Sequence, residues 1–193
     1  MNVSEWIQQY QKLDGRFPTM LKALELFNER SGTTIVETGC IRFPDDWGAG
    51  MSTYIFGSYA KKTGASVYTV DISQDNMNCC KEVTKEFADV ITYTVQDSLA
   101  FLSEFSQTIN LLYLDSMDCP IEAEPDDPEL VRSQTHQLTE AQIALPKISP
   151  DGIILLDDNG FPHGGKTKLT KIFLAEEGWK ELLYGQQSLW IQA

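Results

Sequence analysis

The sequence predicts an α/β fold: a three-layer sandwich around a mostly parallel sheet, closed at one edge by an antiparallel C-terminal hairpin. Three observations predict it. Five short apolar runs, TTIVE, SVYTVD, VITYTVQD, INLLYLD and GIILLDD, have strand length and are rich in β-branched and aromatic residues. Helix-like segments separate them: STYIFGSYAKK, SQDNMNCCKEVTKEFA, LAFLSEFS and HQLTEAQIALPKI. Near-continuous apolar strands alternating with helices are buried parallel strands. The tail KELLYGQQSLWIQA then reads as two more strands around the turn GQQ, a connection short enough only for antiparallel neighbours.

Taken in order, Val3–Arg30 is expected to be helical. In FPTMLKALELFNER the apolar residues Met20, Leu21, Leu24 and Phe27 recur at three and four, which buries one face. Residues 1–32 thus form an N-terminal helical segment packed on the core, and residues 33–193 form the body. Two polar, proline-bearing stretches, Arg42–Gly50 and Asp118–Gln134, read as long loops, which in compact domains often carry function. Cys79, Cys80, Phe101, Leu102 and Phe105 read as core, and Trp190 and Ile191 as last strand. At 193 residues, 42% hydrophobic and 10% aromatic, the chain can fill one core, so global disorder is excluded. A formal net charge of −13 disfavours nucleic acid or anionic lipid as the main partner. No apolar run approaches the roughly 20 residues of a membrane span. The N-terminus lacks an apolar signal core, and the four cysteines match neither a zinc ribbon nor a disulfide framework. A cytoplasmic protein is expected. No heptad seam indicates an oligomeric state.

Each of the five runs ends in an acid: Glu37, Asp71, Asp97, Asp115, and the pair Asp157–Asp158. Any one of them could simply cap the following helix. All five together lie where open α/β sheets bind ligands, at the carboxyl ends of the strands. A polar ligand site is the better account of the set. Glu37–Thr53 is the most informative stretch: a strand ending on an acid, then glycines, then a helix starting near Ser52. Gly39 permits a sharp turn, and Gly48 and Gly50 permit close approach to a ligand. Asp71, at the next strand end, suits an acceptor for ribose hydroxyls. GAGMST matches GxGxxG weakly, because Thr53 replaces the last glycine and the segment lies far beyond the strand end. NAD binding by an oxidoreductase is therefore the lesser alternative.

From about Thr33 onward the chain resembles the class I S-adenosylmethionine-dependent methyltransferases. The likeness rests on VETG with the later GAGMST, on VYTVD, VQDS, LLYLD and ILLDDNG. It implies a seven-stranded Rossmann-like sheet whose last strand is antiparallel, and S-adenosyl-L-methionine as cofactor. Glu37 and Gly39 would then stand beside the methionine part, with Gly50 and Ser52 in the turn into the helix. Asp71 would hold the ribose, and Asp97 with Ser98 would lie near the adenine. The segment Cys40–Gly48 departs from the family by lengthening a compact turn, so Arg42, Asp45, Asp46 and Trp47 either cover the cofactor or decorate the loop. Independently, an acidic rim without a phosphate-binding lysine loop favours a cationic cofactor over an anionic nucleotide.

Asp115 and the pair Asp158–Asn159 end neighbouring runs and make a hard, oxygen-only set suited to Mg²⁺ or Ca²⁺. The pattern is similar to metal-dependent small-molecule O-methyltransferases of the catechol, caffeoyl and macrolide-sugar types, which implies Mg²⁺ at Asp115, Asp158 and Asn159. The same pair can also be a turn closed by Gly160. The catechol-type enzymes carry a lysine base three residues after the first Asp, where this chain has Asp118. His163 in GFPHGGKTK is the first substitute base and Lys166 the second. His136 reads as a helix opener. Arg16 is a candidate for the cofactor carboxylate. EAEPDDPE reads as a solvated lid, or a receiver of a cationic substrate. The expected function is methyl transfer to the hydroxyl of a small molecule, with Mg²⁺ as a candidate aid. The rivals are the NAD-dependent oxidoreductase and a non-catalytic cofactor-binding protein of methyltransferase fold.

Overall fold

The computed structural model describes residues 1–48 and 51–192. Seven strands make one sheet: β1 (Thr34–Thr38), β2 (Ser66–Asp71), β3 (Ile91–Val95), β4 (Ile109–Leu114), β5 (Ile148–Leu156), β6 (Trp179–Tyr184) and β7 (Ser188–Gln192). Their order is β3-β2-β1-β4-β5-β7-β6. The first five pair in parallel, while β7 pairs antiparallel with both β5 and β6. All five residues of β1 are buried, as its unbroken TIVET requires. β3 lies at the edge and is half exposed, which explains its alternation of apolar and polar residues.

The helices are α1 (Val3–Trp6), α2 (Phe17–Glu29), α3 (Ser52–Thr63), α4 (Gln74–Val83), α5 (Ser98–Glu104), α6 (Pro128–Ala144) and α7 (Lys168–Glu176). One face of the sheet is covered by the N-terminal helices and α3, through Met20, Leu24, Phe27, Phe56 and Tyr59. The other is covered by α5, α6 and α7, through Phe101, Leu102, Ala141, Ala144 and Leu174. This is the three-layer sandwich with a terminal hairpin. Among the described residues no helix is long and apolar enough to cross a membrane.

Two boundaries differ from expectation. The N-terminal helical stretch is not continuous: a 3₁₀ segment, Ile7–Arg16, separates α1 from α2. The break falls where Gly15 loosens the backbone and Pro18 enters the first turn of α2, where its missing N–H costs nothing. The second long loop is shorter than predicted, because α6 starts at Pro128. Asp127 caps it by accepting from the amides of Glu129 (2.8 Å) and Leu130 (3.3 Å), with proline in the first position. At the other end α6 stops at Ala144, a 3₁₀ turn carries Pro146, and β5 begins at Ile148.

The chain order reverses between β1 and β4: β2 and β3 lie on one side, β5 and the hairpin on the other. The crevice at the carboxyl ends of β1 and β4 is therefore the place for a ligand.

Candidate active site

The first wall is the turn after β1. Glu37 is fully buried beneath the rim. Its Oε2 accepts from the hydroxyls of Thr53 (2.6 Å) and Thr69 (2.8 Å), whereas its buried Oε1 has no partner. Burial pushes this carboxyl up to about 7, against the pull of the Ser52, Thr53 and Thr69 hydroxyls. Ser52 is buried at the start of α3. Gly50 lies outside the described residues. Gly39 takes φ +83°, and a Cβ there would sit 2.3 Å from the Asp115 carbonyl oxygen. Only glycine lets the turn rest on the end of β4 in this way.

A cavity of about 640 Å³ opens at the ends of β2 and β3, lined by Asp71, Asp97, Ser98 and His136 among others. Both acids also serve the local fold. Asp71 accepts from the Ser73 amide (2.7 Å) and the Asn76 side chain (3.2 Å). Asp97 caps α5 through the amides of Leu99 (3.0 Å) and Ala100 (3.1 Å). The capping reading and the wall reading thus hold together. His136 lies inside α6 rather than opening it, because the helix begins at Pro128. Its Nε2 is 3.0 Å from the Ser98 hydroxyl. Glu140, one turn on at 3.6 Å, raises its pKa against the opposing effect of burial. Sequence reading missed His136 as a lining residue. The available signal was the i, i+4 spacing of His136 and Glu140, which places both on one helix face.

A second cavity of about 910 Å³ opens at the ends of β4 and β5, lined by Arg16, Arg42, Asp115, Asp118, Cys119, Asp158 and Phe161 among others. Asp118 lines both cavities. Arg42 of the long loop clamps Asp118 through two contacts of 2.8 and 2.9 Å. Trp47 of the same loop stacks on Tyr10 at 5.8 Å between ring centroids and donates to Asp45 (2.6 Å). The inserted segment is therefore tied to the N-terminal helices at one point and to the crevice at another.

Beneath this cavity lies a charge cluster. Asp157 is fully buried, and its carboxylate accepts from both Arg16 Nε (2.9 and 3.0 Å) and the Tyr113 hydroxyl. Gln187 donates to the Tyr113 oxygen (3.1 Å) and accepts from Thr19 (2.7 Å). Burial would raise the Asp157 pKa, but the charges of Arg16 and Lys166 and the bonds from Arg16 and Tyr113 hold it below the usual carboxylate range. Arg16 is committed to Asp157, and also reaches within 3.7 Å of Asp158. Its Nε is thus taken by the buried acid, while the residue still lines the second cavity.

Lys166, the second candidate base, is buried. Its ammonium sits between Asp115 (2.6 Å) and Asp158 (3.0 Å) and also donates to the Met117 carbonyl (3.0 Å). The flanking carboxylates overcome burial and hold its proton well above the ordinary lysine range, so the candidate base stands here as an ion-paired ammonium. Asp115 is raised by burial and by Asp157 and Asp158, against the pull of Lys166. The expected divalent-ion set of Asp115, Asp158 and Asn159 does not fit such an ion. Lys166 lies between the two acids, and Asn159 turns elsewhere: its Oδ1 accepts from Thr167 and Lys171, both at 3.0 Å, and its Nδ2 donates to the Gly185 carbonyl (2.8 Å). Among the described residues no group of three His, Cys, Asp or Glu side chains is placed to hold a metal. His163 is exposed and is not part of the cavity wall. Its φ of +58° belongs to a left-handed run with Gly164 and Gly165 that turns Lys166 inward and leaves the imidazole outside.

The sheet order, the terminal antiparallel hairpin and the crevice at β1 and β4 define a class I S-adenosylmethionine-dependent methyltransferase fold. Residues 47–159 match the family model described as methyltransferase domain, which is more than half of the chain, and the chain belongs to that family. Among solved structures, the S-adenosylhomocysteine-bound methyltransferase PaMTH1 of Podospora anserina has a TM-score of 0.65 at 15% identity, covering 99% of this chain and 86% of that one. The O-methyltransferase NovP has a TM-score of 0.64 at 13% identity, covering 93% and 80%. The N-methyltransferase NodS of Bradyrhizobium japonicum WM9, bound to S-adenosylhomocysteine, has a TM-score of 0.55 at 14% identity, covering 100% and 99%. These likenesses concern the fold. Among curated proteins none matches the chain. The protein is an S-adenosylmethionine-dependent methyltransferase.

Proposed function

We propose that this methyltransferase acts on a hydroxyl of a small molecule. The observation that carries the reading is the pair of cavities meeting at Asp118, one walled by Asp71 and Asp97, the other by Asp115 and Asp158. The first suits the cofactor's adenosine. The second, at about 910 Å³, has the volume of a small-molecule pocket. The first cavity and the adjoining turn fit adenosylmethionine: Asp71 and Asp97 line the cavity, and the orphaned Glu37 Oε1 behind the turn is an acceptor without a donor.

Adenosylmethionine, when bound, supplies an electrophilic methyl on a sulfonium, already a good leaving group. The residues of this chain then bind and orient. Asp71 would accept from the ribose hydroxyls, Asp97 and Ser98 would flank the adenine, and Glu37 and Gly39 would meet the methionine end. Asp115 stands between the two cavities' strand ends and rests against Gly39, so an acceptor hydroxyl beside it would face the methyl. Lys166 holds its Oδ1 (2.6 Å) while Oδ2 receives a long contact from the Tyr113 hydroxyl (3.3 Å), and we assign Asp115 the role of proton acceptor through Oδ2. Asp158 would take a second hydrogen bond and fix the acceptor's orientation.

Calorimetry tests the first half of the reading: adenosylhomocysteine should bind and NADH should not, and Asp71→Ala should abolish the heat. The absence of heat with adenosylhomocysteine would end the proposal. For the second half, methyl transfer is measured across a panel of phenols, sugars and amines. Asp115→Asn should keep adenosylhomocysteine affinity and lower kcat by roughly 10²–10⁴-fold, the scale of a lost general base. Transfer to amines alone would overturn the choice of oxygen.

A further inference from the structure

The strand-end acids of β4 and β5 already hold a cation, and it belongs to the chain. We infer that the Lys166 ammonium is a built-in replacement for a divalent ion, so that the wild-type site binds no such ion and needs none. Lys166 is among the largest fully buried side chains of the molecule. An ammonium has three donors and no acceptor. Here it donates to Asp115 Oδ1 at 2.6 Å and to the Met117 carbonyl at 3.0 Å, and is ion-paired with Asp158 Oδ2 at 3.0 Å. A hard ion would need the same two carboxylates at about 2.0–2.6 Å. It would have to occupy the place of the nitrogen.

The lysine is not a flexible arm caught in passing. His163, Gly164 and Gly165 take three successive left-handed conformations, with φ of +58°, +88° and +54°. A Cβ on Gly165 would lie 1.8 Å from the Asp158 carbonyl oxygen, so the loop touches the Asp158 backbone directly and only glycine allows it. Gln134 of α6 donates to the Gly165 carbonyl (2.9 Å) on one side of Lys166. On the other side, Thr167 donates to Asn159 Oδ1 (3.0 Å). The Asn159 amide, which would be the third member of an oxygen set, is thereby used to clamp the residue after the lysine. Electrostatics agrees. Removing Lys166 would leave Arg16 as the cation ion-paired with Asp157 and Asp158, and Asp115 without an ion-pair partner among the described residues. A buried charge left without its partner costs several kcal/mol, and a divalent ion could then take the vacated position.

Any role of this cation toward the acceptor oxygen rests on the methyl-transfer reading above, but exclusion of metal does not, and the experiment separates the two. The full chain is titrated with Mn²⁺ and free ion is followed by electron paramagnetic resonance, with adenosylhomocysteine calorimetry as an independent control. Wild type should leave millimolar Mn²⁺ free, and its thermal midpoint should not respond to Mn²⁺ or EDTA. Lys166→Ala should bind one Mn²⁺ roughly 10–100-fold more tightly, the scale on which groups around a metal alter its affinity. Its midpoint should rise with Mn²⁺, and adding Asp158→Asn should remove both effects. The inference is overturned if wild type binds one Mn²⁺ that Asp158→Asn removes. It is equally overturned if a folded Lys166→Ala takes up none. Lys166→Met, which keeps an apolar stem, is the second variant if alanine does not fold; should neither fold, the wild-type titration decides. Loss of adenosylhomocysteine heat in wild type would count against the methyl-transfer reading alone.

Discussion

Glu37 offers the sharpest physical test of the site. It is fully buried, its Oε1 has no partner, and its carboxyl is pushed from 4.5 to about 7. A folded pKa above the unfolded one means that the native state holds the proton more tightly. The resulting stability is complete below the unfolded pKa and is lost as pH rises through about 7. One pKa unit is worth about 1.36 kcal/mol, so full ionisation costs the native state about 3 kcal/mol relative to a residue that stays neutral. Glu37→Gln is such a residue. Its carbonyl still accepts from Thr53 and Thr69. Without cofactor, the variant should match wild type near pH 5 and exceed it by about 3 kcal/mol near pH 8.5. At about 2–4 °C per kcal/mol for a chain of this size, the midpoint gap should open by roughly 6–12 °C between those pH values. Thermal unfolding at both pH values measures it, and comparing the gaps cancels every other titrating group. A gap that is the same at both pH values would refute the reasoning, because it would mean that Glu37 ionises freely where it stands.

Gly39→Ala places a Cβ 2.3 Å from a backbone oxygen at φ +83°, and should destabilise by roughly 2–5 kcal/mol from the left-handed cost plus overpacking, read by urea unfolding. Arg16→Met strands the buried Asp157 and should cost about 3–5 kcal/mol at neutral pH. Because Asp157 is held below its ordinary pKa, its contribution is present above the unfolded value and lost as pH falls through the folded one, so the deficit should shrink on acidification. Adding Asp157→Asn should recover most of it, again by urea unfolding. His163→Ala should leave kcat and KM unchanged in a methyl-transfer assay, since the exposed imidazole is outside the cavity wall.

Much of the architecture was legible in the residue pattern, and the reason is periodicity. Runs such as INLLYLD suit only a strand buried on both faces, and GQQ between SLWIQ and KELLY suits only a hairpin. The acids at the strand ends were legible for the same reason, since a strand's last residue is fixed in space by its pairing. The start of α6 was overlooked although its signal was local: Asp127 followed by Pro128 is a cap with a preorganised first turn.

Length, charge and the order of strand and helix were enough to specify a doubly covered sheet with an acidic rim, because each depends on neighbours along the chain. What those acids face was decided only in three dimensions. Lys166 and Asp115 meet across 2.6 Å although a helix and a strand separate them in the chain, and Arg16 meets Asp157 from 141 residues away in the sequence. No local pattern encodes such pairings. They follow from the left-handed turn at His163–Gly165 and the packing of the N-terminal helices, which bring distant charges together at a site that shields them from water.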